Sequence, residues 1–264
     1  MDKEAILWKE DFTDYANLNR IDIIHDILSN NSKVNYNIGG YCDFSQYTNI
    51  THLIIYETNN FPLDKLPPNL THLSLGQFFN QPINDLPKSL IYLKLAGKFN
   101  QRVDNLPPNL IYLEFGSYFN QPINNLPENL QYLILGEQFN QLIDNLPYNL
   151  QYLILGENFN QRIDNLPPNL ICLYLGYYFN QPIDNLPQSL QILHLNEQYN
   201  NSLDNLPNSL KKIYIYCYKY YISLEMLPEN IEEIHILYPY HKNLKKLENS
   251  RFRNKFKIRL NKDS

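Results

Sequence analysis

Residues Leu126 to Asn145 read LPENLQYLILGEQFNQLIDN, and with small changes the same twenty residues recur before and after them. The run Leu-Pro-x-(Asn or Ser)-Leu begins at Leu66, Leu86, Leu106, Leu126, Leu146, Leu166, Leu186 and Leu206, each twenty residues after the last. A short fixed period means that each copy is one coil of a solenoid, too small to bury its own apolar face and stable only when stacked on its neighbours. Within the coil, Leu126, Leu130, Leu133, Leu135, Phe139 and Ile143 stay apolar in nearly every copy. Leu133 and Leu135 alternate with the period of a strand that buries one face. Gly136, with equivalents Gly76, Gly116, Gly156 and Gly176, ends that strand. Consecutive strands are then expected to lie parallel, about 4.8 Å apart.

The rest of the coil must return the chain to its start, and it does so with turn formers. Pro127 fixes its φ and removes a donor, while Asp144 and Asn145 offer side-chain oxygens that can cap the next turn. Too few residues remain for a full α-helix at about 1.5 Å rise per residue. The expected fold is therefore mostly β: a solenoid of 20-residue coils with one parallel sheet and short convex turns or single 3₁₀ turns.

A second motif keeps step with the first. The pairs Phe79-Asn80, Phe99-Asn100, Phe119-Asn120, Phe139-Asn140, Phe159-Asn160 and Phe179-Asn180 are followed by Tyr199-Asn200. A phenylalanine column gives each coil a large apolar wedge, and an asparagine just behind it can bond backbone groups exposed at the turn. These residues are expected to form a structural ladder from coil to coil.

The stretch FNQPINNLPENLQYLILGEQFNQ, Phe119 to Gln141, resembles the FNIP repeat, a leucine-rich-repeat relative frequent in social amoebae and giant viruses. The resemblance spans about residues 60 to 215. It implies a leucine-rich-repeat-like solenoid of the kind regarded as an interaction module. Some such proteins carry an F-box, the adaptor-binding module of ubiquitin ligases, before their repeats. Residues 1–48 are then either a plain N-terminal cap or a degenerate F-box lacking that module's Leu-Pro opening.

The flanks are expected to close the two ends that a solenoid leaves open. Between Arg20 and Leu28 the residues Ile21, Ile24, Ile27 and Leu28 fall on one helical face, which predicts a capping helix. Residues 49–240 form the repeat solenoid, and 241–264 a basic C-terminal cap. That last segment holds nine Lys or Arg against Glu248 and Asp263, in a chain whose net charge is −5. Such asymmetry can mark a nucleic-acid contact. But KFKIRL, Lys255 to Leu260, alternates apolar and cationic residues, as an edge strand does when it covers a core and discourages further strand addition.

No apolar stretch approaches membrane length, and the start, MDKEAILWKEDF, lacks a leader pattern. A soluble, intracellular and cytoplasmic protein is expected, in the host cell if the chain is viral, and a monomer. Cys42, Cys172 and Cys217 are too scattered for a disulfide framework or a zinc site. The Asp104, Asp144, Asp164, Asp184 and Asp204 column lacks the glycine-rich turns of calcium-binding rolls and reads as turn capping. With His25, His52, His72, His194, His235 and His241 scattered, no catalytic grouping, metal site or cofactor site is expected.

Outward-facing strand positions remain. One column runs Tyr92, Tyr112, Tyr132, Tyr152, Cys172; its neighbour runs Lys94, Glu114, Ile134, Ile154, Tyr174, His194, Tyr214. A tyrosine ladder stabilises parallel strands by itself. Yet Tyr92, Tyr112, Tyr132, Ile134, Tyr152, Ile154 and Tyr174 would also expose an aromatic and apolar patch on the concave face, of the kind protein interfaces favour. The expected function is a protein-interaction scaffold binding a protein of unknown identity there, in its sharper form as substrate receptor of a ubiquitin ligase. Nucleic-acid binding through the basic tail is the alternative, disfavoured by the acidic balance of the remaining chain.

Overall fold

The structure, a computed structural model, describes residues 44–45, 48–55, 60, 62–63, 65–196, 198–216, 226–237 and 251–259. The helix expected at Arg20–Leu28, the F-box reading of 1–48, Cys42, Cys217, His25 and His241 lie outside the described residues.

Each coil contributes one short strand: β1 (His52–Ile55), β2 (His72–Leu75), β3 (Tyr92–Leu95), β4 (Tyr112–Phe115), β5 (Tyr132–Ile134), β6 (Tyr152–Ile154), β7 (Cys172–Tyr174), β8 (Ile192–Leu195), β9 (Lys212–Ile215), β10 (Glu233–Leu237) and β11 (Phe256–Arg259). They form one sheet in chain order, from β1 to β11. Every pairing is parallel, and from β1 to β9 the register advances twenty residues per strand, as in Tyr132 beside Tyr152 and Leu133 beside Leu153. A sequence period equal to the coil length leaves no other register, because a one-residue slip would turn the leucines outward.

Beneath the sheet the inward leucines and the phenylalanine column make one continuous core. Leu133, Leu135, Phe139 and Ile143, with their equivalents, are buried along the solenoid. Successive phenylalanine rings stack in parallel, with centroids from 6.0 to 6.2 Å apart between Phe79 and Phe179, and Tyr199 continues the row. Gly136 is required at the strand end by close approach: a Cβ there would stand 1.8 Å from the Gly116 carbonyl oxygen. Ala96 takes the equivalent place two coils earlier, and Gly97 behind it adopts a φ of +54°, which glycine reaches without strain.

The return path is turn rather than helix. Leu130 N–H donates to Pro127 O at 3.1 Å, closing the Leu-Pro-x-Asn-Leu turn, and the Asn129 side chain donates to Pro108 O of the coil before. Asp144 and Asp164 differ from the expectation of local capping. Their Oδ1 atoms accept from Asn165 and Asn185 of the following coils, so they link turns instead.

At the N-terminal end Phe44 is buried, and its N–H donates to Lys65 O at 2.8 Å. At the other end Phe252 is buried against the last coil, with Arg251 and Lys255 over its ring. Arg251 also donates to Leu227 O, and Lys255 to Glu229 O. β11 follows directly, within the KFKIRL segment, and pairs with β10 as the last strand of the sheet.

Candidate functional site: the outward face of the sheet

The ladder residues lie behind the sheet, and each asparagine side chain has the same task. Asn80 N–H donates to Asn60 Oδ1, Asn100 to Asn80, Asn120 to Asn100, Asn140 to Asn120, Asn160 to Asn140, Asn180 to Asn160 and Asn200 to Asn180, at 2.8 to 3.0 Å. The next glutamine adds a second donor, as Gln141 Nε2 does to Asn120 Oδ1 at 3.1 Å. Phe79, Phe99, Phe119, Phe139, Phe159 and Phe179 are all fully buried beside them. These residues hold coils together; the phenylalanine rings are out of a ligand's reach, while Asn100, Asn140 and Asn160 stay exposed at the ladder's edge.

On the opposite face, Tyr92, Tyr112, Tyr132 and Tyr152 share one register column, and Ile134, Ile154 and Tyr174 share the next. The expectation of an exposed aromatic patch needs correction. Tyr92 (6% exposed), Tyr132 (9%) and Tyr174 (8%) are buried, while Tyr112, Tyr152, Ile134 and Ile154 are half-buried. The cause is the strand spacing. Rings held in register at neighbouring rungs cover each other's faces, with centroids 4.5 Å apart for Tyr92 and Tyr112 and 4.7 Å for Tyr132 and Tyr152.

Histidines extend the stacks: His194 in the column where the sequence placed it, and His52, His72 and His235 at places the sequence reading missed. His52 and His72 stack at 4.1 Å, and His72 lies 5.6 Å from Tyr92, so the first column begins two coils earlier. In the second column another stack runs through Tyr174, His194, Tyr214 and His235, with centroids 4.4, 4.1 and 4.2 Å apart. The twenty-residue period carried this signal, since His52 and His72 occupy the position of Tyr92.

Charged pairs flank the centre of the face. Lys94 reaches Glu114 at 2.8 Å, and Tyr112 donates its hydroxyl to the same carboxylate at 2.7 Å. Toward the C-terminus Glu233 faces Lys257 at 2.8 Å, His235 at 2.9 Å and Lys212 at 3.6 Å. The Lys257 hydrogen bond is the largest cause that pulls the Glu233 carboxyl down to about 2. Burial pushes the His194 imidazole down to about 3, and burial together with His52 pushes His72 down to about 4. Burial also raises the Tyr112 phenol well above its usual range and the Cys172 thiol to about 12. At neutral pH the face therefore presents neutral imidazoles, protonated phenols and a protonated thiol. That arrangement suits contact rather than nucleophilic or acid–base chemistry.

Among the described residues no three His, Cys, Asp or Glu side chains come together, and no helix is long and apolar enough to cross a membrane.

The FNIP Repeat profile matches this chain seven times, over residues 59–98, 79–118, 99–138, 119–158, 139–178, 159–198 and 179–218. Among solved structures, CroV588, described as a novel circular LRR protein, is 34% identical with a TM-score of 0.70; the match covers 81% of this chain and 37% of that one. The chain thus spans a little over a third of that relative's length. YopM from Yersinia enterocolitica WA-314 is 20% identical over 75% of this chain and 53% of its own, with a TM-score of 0.39. No curated protein matches.

Proposed function

Because the chain belongs to the FNIP repeat family and folds as a leucine-rich-repeat-like parallel-sheet solenoid, we propose that it is a protein-interaction scaffold. The partner sits on the outward, concave face of the sheet, centred on Ile134 and Ile154. One observation carries this reading. The inner lattice repeats almost unchanged from coil to coil, whereas the outward columns vary, and at the centre of the face they leave Ile134 and Ile154 half-exposed beside the edges of Tyr132 and Tyr152. A rigid lattice with a varied face is how repeat proteins build binding surfaces.

The test is affinity capture from cell extract with the wild-type chain and with Ile134→Ser/Ile154→Ser. The double variant should keep its far-ultraviolet circular dichroism and lose the captured partner. Retention of the partner would move the interaction to another surface. The sharper form, a substrate receptor of a ubiquitin ligase through residues 1–48, is supported by the family alone. Capture of a ligase adaptor by the full chain but not by a chain lacking 1–48 tests it. Three of the nine tail cations, Arg251, Lys255 and Lys257, are engaged with Leu227 O, Glu229 O and Glu233, which favours the protein-interaction reading over nucleic-acid binding through the tail.

A further inference from the structure

Beyond the isoleucines, Gly116, Gly136, Gly156 and Gly176 end the strands in a column closed by coil-to-coil packing: Gly156 and Gly176 are buried, and the place of each absent side chain is filled by backbone of the coil before. On its far side the turns form two further rows, held in step by backbone bonds. Gln138 N–H donates to Ser117 O, Asn158 to Glu137 O and Tyr178 to Glu157 O, each at 2.9 Å. Glu137 and Glu157 therefore stand one rung apart in the same row, both exposed. Like charges at neighbouring rungs are destabilising, and several other carboxylates of the fold do have a cation beside them: Glu114 has Lys94, Glu233 has Lys257 and Lys212, Asp104 has Arg102, and Asp164 has Arg162. Among the described residues no cation pairs with Glu137 or Glu157; Ser117 donates to Glu137 at 3.0 Å.

Exposed aromatic rings bracket the pair. Tyr118 (58% exposed) lies one rung before Glu137, and Tyr178 (53%), packed edge-on against Tyr177, lies one rung after Glu157. The molecule itself shows how this row receives a cation, since Lys98 Nζ stands 4.8 Å over the ring of Phe78 at its N-terminal end. The apolar Ile134 and Ile154, the two adjacent carboxylates without a cation and the exposed rings together have the chemistry of a seat for one polypeptide segment.

We propose that the partner segment is basic as well as apolar: its apolar side chains rest on Ile134 and Ile154, and a lysine or arginine sits between Glu137 and Glu157, flanked by Tyr118 and Tyr178. The proposal rests on the outward-face reading above and names the chemistry of its occupant.

The probe is a random dodecapeptide library displayed on phage, selected against the full chain. Selected peptides should combine apolar residues with lysine or arginine. The tightest of them should bind Glu137→Gln/Glu157→Gln at least tenfold more weakly and lose affinity as salt rises from 50 to about 300 mM. Both substitutions are isosteric at exposed positions, and an unchanged melting temperature establishes that the variant is folded. Peptides without cation enrichment, or equal binding to the glutamine variant, overturn the proposal. If those peptides still fail on Ile134→Ser/Ile154→Ser, the outward-face reading stands while this one falls. If no peptide is enriched against the wild-type chain, both fall.

Discussion

At the scale of single residues, Phe139 and Tyr132 separate the two faces. Phe139 is fully buried between Phe119 and Phe159, so Phe139→Ala should cost about 3–5 kcal/mol in urea unfolding. Tyr132 is also buried, but by ring stacking at the surface of the sheet, and Tyr132→Ala should cost about 1.5–3 kcal/mol. Equal, negligible costs would show that neither column packs as described. The inward assignment of phenylalanine was legible in the repeat, whereas the burial of tyrosine was not: periodicity tells which way a side chain points, and only the rung spacing tells how much its neighbours cover it. His194 supplies a pH prediction. It is 4% exposed between Tyr174 and Tyr214, and although aromatic faces attract a cation by about 0.5–2 kcal/mol, burial dominates and holds it neutral down to about 3. Its folded value lies below the unfolded one, about 6.5, so its contribution is fully present above pH 6.5 and is lost as pH falls below that, by up to about 1.4 kcal/mol per pH unit. Glu233 is depressed in the folded state, and its contribution is lost only below about pH 4.5, so urea titrations at pH 7.5 and 5 leave it out, and the difference between variant and wild type cancels other groups such as Glu157, whose carboxyl burial and Glu137 raise. His194→Phe should lose measurably less stability over that interval than the wild type. An identical loss would place the pH dependence in other groups.

At the scale of the coil, the asparagine ladder and the glycine step set how tightly neighbours stack. Asn140 Oδ1 accepts the Asn160 N–H at 3.0 Å and Gln161 Nε2 at 3.1 Å. Asn140→Ala should therefore cost about 0.5–1.5 kcal/mol, while Asn140→Asp, which keeps an acceptor oxygen, should cost clearly less. Thermal melts of the two variants check the order, and a reversed order would show that the oxygen is not the group that matters. Gly136→Ala should cost about 1–3 kcal/mol, because the new methyl meets backbone rather than a side chain that can turn away. The strand, its glycine stop and the Phe-Asn ladder were all readable from one coil, since each rests on a period. The links between turns, Asn165 to Asp144 and Asn185 to Asp164, were not, because each joins different positions of neighbouring coils and exists only once the coils are side by side.

At the scale of the whole molecule, a parallel solenoid has two sheet edges and two exposed core ends, and this chain ends its sheet with β11. Three cations beside or within that strand are tied into the last coil: Arg251 to Leu227 O and Glu229, Lys255 to Glu229 O, and Lys257 to Glu233. Phe252, buried under Arg251 and Lys255, closes the core that Ile231, Ile234 and Ile236 would otherwise present. Deleting residues 249–264 removes the edge strand and this plug together. The apolar end and the unpaired edge of β10 should then seek another chain, so the truncated protein should self-associate where the full chain stays monomeric in light scattering at equal concentration. A milder variant separates the plug from the strand: Phe252→Ala keeps β11 and its lysines but empties the buried site, and should lower the melting temperature without the same association. If the truncated chain remained monomeric and as stable as the full one, residues 249–264 would not be a cap, and the basic segment would need a role outside the fold.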